Sequence, residues 1–213
     1  MRAGIVRSAV AETRAPTKRI TVSTIRRIVI ASLAAASALA LTACDSEQIG
    51  SAVVIDGDRF TVDDLQNQVE RAQRLEGFDV EAAGGMPAFQ RTVLTRHIQH
   101  EIFLRLAEDE DIQVSEADID DAIEGISAQA PGGDLDAALA QAGYTEDAFR
   151  AGVADQLIAQ AFAEENGADN AALTETLVDL GNELGVEVNP RYGTWGDDLA
   201  VSADTGSISE PAS

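Results

Sequence analysis

The chain has 213 residues, with 15 Lys and Arg against 37 Asp and Glu, a net charge of −22, 4% aromatic residues and a single Cys. That balance argues against nucleic acid, whose binding rests on cationic groups displacing phosphate counterions. One thiol can neither close a disulfide within the chain nor build a zinc cluster.

Residues 1 to 27 hold seven of the bases and one acid, Glu12, and a charge-free run from Ile28 to Leu41 follows. This is the order of a secretory signal peptide. As a helix the apolar run would span ~21 Å, short of the roughly 30 Å hydrocarbon core, so a permanent transmembrane helix is the weaker reading. Leu41, Thr42 and Ala43 before Cys44 resemble a lipobox, in which small residues admit a peptidase and the thiol receives a diacylglyceryl group. Val22, read as an alternative start codon, would leave a compact VSTIRR leader. The expected product is exported and anchored by lipid to the outer face of the cytoplasmic membrane.

Beyond Cys44 there remain 8 bases against 36 acids, a charge of −28, and the only Lys, Lys18, is gone with the leader. No Walker lysine, Schiff-base amine or Ser-Lys dyad can then exist, so no nucleotide is expected. The Ala-rich, Lys-poor composition also suggests a GC-rich genome.

Residues 44–51 read as a tether and 52–196 as one domain. AVVIDGDRFTVDDL reads as strand, tight turn at Asp56-Gly57, then a helix opened by Thr61 and Asp64 and carrying Leu65, Val69 and Ala72. After the loop GFDVEAAGGMP, the spacing of Phe89, Val93, Ile98, Ile102, Phe103 and Leu106 predicts a long helix from Pro87 to about Asp109. Ser115 caps a helix with Ile119, Ile123 and Ile126, stopped by PGG at 131–133. A short helix with Leu135 and Leu139 ends at Gly143, and Thr145 opens another with Phe149, Val153, Leu157 and Phe162. Leu173, Leu177, Leu180 and Leu184 form a seam ended by Gly185, and VEV follows as a short strand. Residues 197–213, small and acidic, are expected to be disordered.

Two lone strands, Val53 to Ile55 and Val186 to Val188, each leave backbone groups unpaired, and pairing one with the other satisfies both. Pro190, lacking an amide donor, would end that ladder, and Tyr192 and Trp195 would cover its junction with the helices.

Candidate chemistry is sparse. His97, His100 and Glu101 in HIQHE fit neither zincin order, so a helix edge is the reading preferred over a metal site. A calcium loop from Asp109 needs glycine at position 114 and glutamate at position 120, where the chain has Val114 and Asp120. No cofactor is expected.

AVVIDGDRFTVDDL, VLTRHIQHEIFLRLAEDEDIQVSEADIDDAI, ALAQAGYTEDAFRAGVADQLI and VEVNPRYGTW together resemble the N-terminal chaperone module of the SurA family and of PrsA-type and SurA-like lipoproteins of actinobacteria, over residues 50–196. The resemblance implies a mainly α fold, a SurA-N-like helical bundle whose N- and C-terminal ends are joined by a small two-stranded β ribbon. It implies an ATP-independent chaperone for unfolded or newly secreted proteins. The family often carries a parvulin prolyl isomerase before the last helix; here AEENGADN is too short to hold one, so no enzyme activity is expected. Clients would enter a groove between the long helix and those that follow it, with Phe78 and Met86, in a loop of no obvious core role, as candidate contacts. The alternative is an accessory envelope lipoprotein serving one dedicated partner.

Overall fold

Asp56 and Gly57 both take positive φ, 50° and 84°, the pair of left-handed residues that a two-residue type I′ turn requires. In this computed structural model, which describes residues 50–129 and 134–203, that turn folds strand β1 (Ser51–Ile55) back onto β2 (Asp58–Thr61). The strands are antiparallel, with Ile55 opposite Asp58 and Val53 opposite Phe60. The sequence marks no second strand between the turn and the helix opened by Thr61. A strand intervenes because a tight turn aims the chain along β1, whose backbone groups need partners. Exposed Asp58 and Arg59 disguise it, though the Arg59 Nε donates to Ser51 Oγ at 2.8 Å.

On its other side β1 pairs with β3 (Glu187–Val188), Val53 opposite Val188 and Val54 opposite Glu187, also antiparallel. The expected ribbon between the two ends of the domain is therefore present, inside a three-stranded sheet of order β2-β1-β3. The central place of β1 explains why all five of its residues are buried. The Asn189 amide donates to the Ala52 carbonyl at 2.9 Å, and its side-chain Nδ2 donates to the Ser51 carbonyl at 2.9 Å. Pro190 comes next, where the ladder stops.

Among the described residues six helices follow from local signals. Thr61 and Asp64 close a reciprocal capping box on α1 (Val62–Gln73), which buries Leu65, Val69 and Ala72. The long α2 (Met86–Asp109) runs through the core on Phe89, Val93, Leu94, Ile98, Ile102 and Leu106. Ser115 and Asp118 cap α3 (Glu116–Gln129) in the same reciprocal way. Asp134, Thr145 and Asp169 cap α4 (Leu135–Gln141), α5 (Glu146–Asn166) and α6 (Asn170–Glu183). Gly167, in the left-handed conformation, ends α5. In α6, Leu177 and Leu180 are buried, and Gly181 lets Ile102 and the Trp195 indole approach closely.

The expectation of disorder from residue 197 is corrected up to 203. Strand β4 (Thr194–Trp195) pairs antiparallel with β5 (Val201–Ser202), Trp195 opposite Val201. Val201 is only 6% exposed, its amide donates to Thr95 Oγ1 at 2.9 Å, and the Gln99 side chain donates to the Leu199 carbonyl at 2.8 Å. A Cβ on Gly193 would collide with the Ser202 carbonyl, so the turn into this hairpin needs glycine. Composition hides the segment because its anchors lie on α2, far away in sequence. Tyr192 is buried in the core and Trp195 packs against it.

The signal peptide, the lipobox Leu41, Thr42, Ala43 and Cys44, the PGG stop and residues 204–213 lie outside the described residues. Among the described residues no helix is long and apolar enough to cross a membrane.

Candidate functional site

One stretch of α2 carries His97, His100, Glu101 and Leu104, spaced so that they fall on one side of the helix. Ile102 and Leu106 bury the opposite side. At about 100° per residue, Leu104 stands roughly 200° from Ile102 and must point away from the core. It is 45% exposed, and is the one large apolar side chain exposed among the described residues.

Leu104 forms the ridge between two open troughs. Toward the β1-β2 hairpin lies a cavity of about 370 Å³, lined by Ile55, Phe60, His97, Glu101 and Leu184 among others. Toward α3 and α5 lies one of about 630 Å³, whose apolar walls include Ala107, Ile112, Val114, Ile119 and Ile158. Both fall within the size range of ligand pockets, which is roughly 300–1,000 Å³. Helix α3 packs on α5 at the edge of the bundle and buries only Ile119, with Ile123 and Ile126 half-buried. The wider trough is therefore walled in part by a helix with shallow apolar anchorage.

The two histidines fix α2 to its neighbours in different ways. His97 stacks on Phe60 with ring centroids 4.0 Å apart. Burial, with a smaller contribution from His100 and opposed by Asp64, lowers its pKa to about 4, so the ring is neutral. Its Nδ1 lies 3.8 Å from Glu101 Oε1, too far for a hydrogen bond, and a neutral ring makes no ion pair there. His100 Nδ1 meets Asp155 Oδ1 at 2.7 Å, joining α2 to α5. That hydrogen bond, opposed by burial, raises the His100 pKa. The two rings thus serve different partners, and among the described residues no group of three or more His, Cys, Asp or Glu is placed to hold a metal ion.

The acidic run read against calcium does other work. Glu116 and Asp120 grip Arg150 of α5 at 2.6 and 2.7 Å, Asp118 caps α3, and Asp109 accepts from Arg105 at 3.0 Å.

Phe78 and Met86 line neither trough; both pack against the core. Phe78 lies 4.6 Å from Phe89, centroid to centroid, and a Cβ on Gly143 would come within 2.7 Å of both rings. The loop has a packing role that its sequence conceals, since Phe89 and Gly143 meet it only in three dimensions. Leu104, by contrast, had a signal in the sequence: it falls off the apolar stripe of α2.

A family model described as SurA-like N-terminal domain matches residues 13–163. The match ends inside α5, so α6 and strands β3 to β5, including the distinctive VEVNPRYGTW, lie beyond it. No curated protein and no solved structure matches the chain.

Proposed function

The chain belongs to the SurA-like N-terminal domain family, and from that premise we propose that it is a lipid-anchored, ATP-independent holder of unfolded exported polypeptides outside the cytoplasmic membrane. The observation that carries this reading is Leu104, exposed on a ridge between two open troughs, whereas the other large apolar side chains among the described residues are buried or half-buried. Apolar segments of an unfolded chain gain by leaving water, and a shallow open trough holds them loosely enough for release without a nucleotide. A tether through Cys44 would raise the local concentration of the holder where exported chains emerge. Helix α5 ends at Asn166 and α6 begins at Asn170, a connection too short for a catalytic insert, which supports a binding role rather than prolyl isomerisation.

The test is suppression of aggregation, followed by light scattering, for several unrelated unfolded proteins at near-stoichiometric holder. Delay for most of them is expected, and its loss in Leu104→Ser, an exposed site where folding should survive. No delay for any client, together with capture of a single species by crosslinking in cells, would favour a dedicated accessory lipoprotein instead. Mass analysis of the exported protein and of Cys44→Ala tests the anchor separately, the variant losing the added lipid mass.

A further inference from the structure

The charges around the Leu104 ridge are unevenly matched. Asp56, Asp58, Glu101 and Glu108 line the hairpin-side trough against Arg59 and Arg105. Both guanidiniums are engaged: Arg59 Nε donates to Ser51 Oγ, and Arg105 lies 3.0 Å from Asp109 and 3.9 Å from Glu108. Across the ridge, the one Arg lining the wider trough, Arg150, is already held between Glu116 and Asp120. Each cation bordering the exposed leucine therefore faces protein partners, while carboxylates remain in excess at the rim.

We infer that, if the chain is a holder of unfolded polypeptides as proposed above, this groove selects segments in which a large apolar residue is flanked by Lys or Arg. The apolar residue meets Leu104 and the trough walls, and the flanking cations meet Glu101, the hairpin carboxylates and Glu108, which Arg105 approaches only at 3.9 Å while Asp109 holds that guanidinium at 3.0 Å. A second copy of this chain is the wrong occupant, because beyond Cys44 it carries −28 and would meet its own sign. Segments rich in Asp or Glu are rejected for the same reason, and that rejection is a source of selectivity in its own right. The lack of Lys beyond position 44 also keeps the holder from resembling its own client.

Exposed ion pairs contribute modestly, roughly twofold to fivefold in affinity each, and added salt screens them. Two or three such pairs predict about a tenfold preference at low salt.

The experiment uses three peptides of one length with the same Leu-rich centre, flanked by Lys, Gln or Glu. Their binding to the full-length protein in zwitterionic nanodiscs is read by fluorescence anisotropy. The Lys-flanked peptide should bind roughly tenfold tighter than the Glu-flanked one at low salt, the gap narrowing to about twofold near 0.5 M. Glu101→Gln with Glu108→Gln should shrink the same gap without loss of helical circular dichroism. A gap unchanged by that double substitution overturns the assignment to this groove. Equal binding of all three peptides, still weakened by Leu104→Ser, overturns charge selection and leaves the holder reading standing. Binding of none removes both.

Discussion

His97 and His100 sit three residues apart on one helix and respond to acid with opposite signs. The folded pKa of His97, about 4, lies below the ordinary value of roughly 6.5, so the unfolded chain binds the extra proton between those limits. Its contribution to stability is complete above pH ~6.5 and declines as the pH falls toward ~4. His100 has a raised folded pKa from its bond to Asp155, so its contribution is complete below pH ~6.5 and declines as the pH rises through the folded value. The His97 contribution taken alone falls by about 2 kcal/mol by pH 5. His97→Phe keeps a ring against Phe60 and removes the titration. Thermal melts should show its drop in Tm between pH 7 and pH 5 smaller than that of the parent by roughly 5 °C. An equal drop in both proteins would mean that the buried ring is not the acid-sensitive group. The sequence displayed HIQHE plainly, and the spacing was enough to reject a zincin. It could not display the roles of the rings, because Phe60 and Asp155 approach from elements remote along the chain.

At the scale of elements, the helices were legible because each carries its own signals. Thr61, Ser115, Thr145 and Asp169 cap where hydroxyls and carboxylates can reach the first amides, and 3.6-residue periodicity marks the buried faces. The strands were legible only where two unpaired segments demanded one another, as β1 and β3 do; β2 and β5, short and polar-flanked, depend on partners that periodicity does not reveal. Asn189 makes the β1-β3 junction testable. Its side-chain amide satisfies the carbonyl of buried Ser51, and alanine there would leave that acceptor without this donor. Asn189→Ala should cost about 1–2 kcal/mol in urea unfolding, with little change in m, because the exposed area of the unfolded chain is unaltered. A cost within experimental error would show that the ends of the domain are held by apolar packing alone.

For the molecule as a whole, the stretch that matches the family ends at 163, yet the central strand β1 is completed by β3, and the core is closed by Tyr192, Trp195 and Val201 from beyond it. The bundle therefore depends on its last described residues. Composition alone placed disorder from 197 onward, since DDLAVS offers only Leu199 and Val201 as sizeable apolar residues. What orders them is complementarity with α2: Thr95 accepts from the Val201 amide, and Gln99 donates to the Leu199 carbonyl. A chain ending at Gly196 loses both hydrogen bonds and the burial of Val201, and uncovers part of Trp195. Relative to a chain ending at Ala203, it should lose about 3 kcal/mol, on the order of 1 kcal/mol for each hydrogen bond and somewhat more for the valine. Urea unfolding of the two truncations, read by the fluorescence of the single Trp, measures that difference where it arises. Coincident midpoints would mean that the β4-β5 hairpin merely rests on α2, and that closure of the domain is complete at β3.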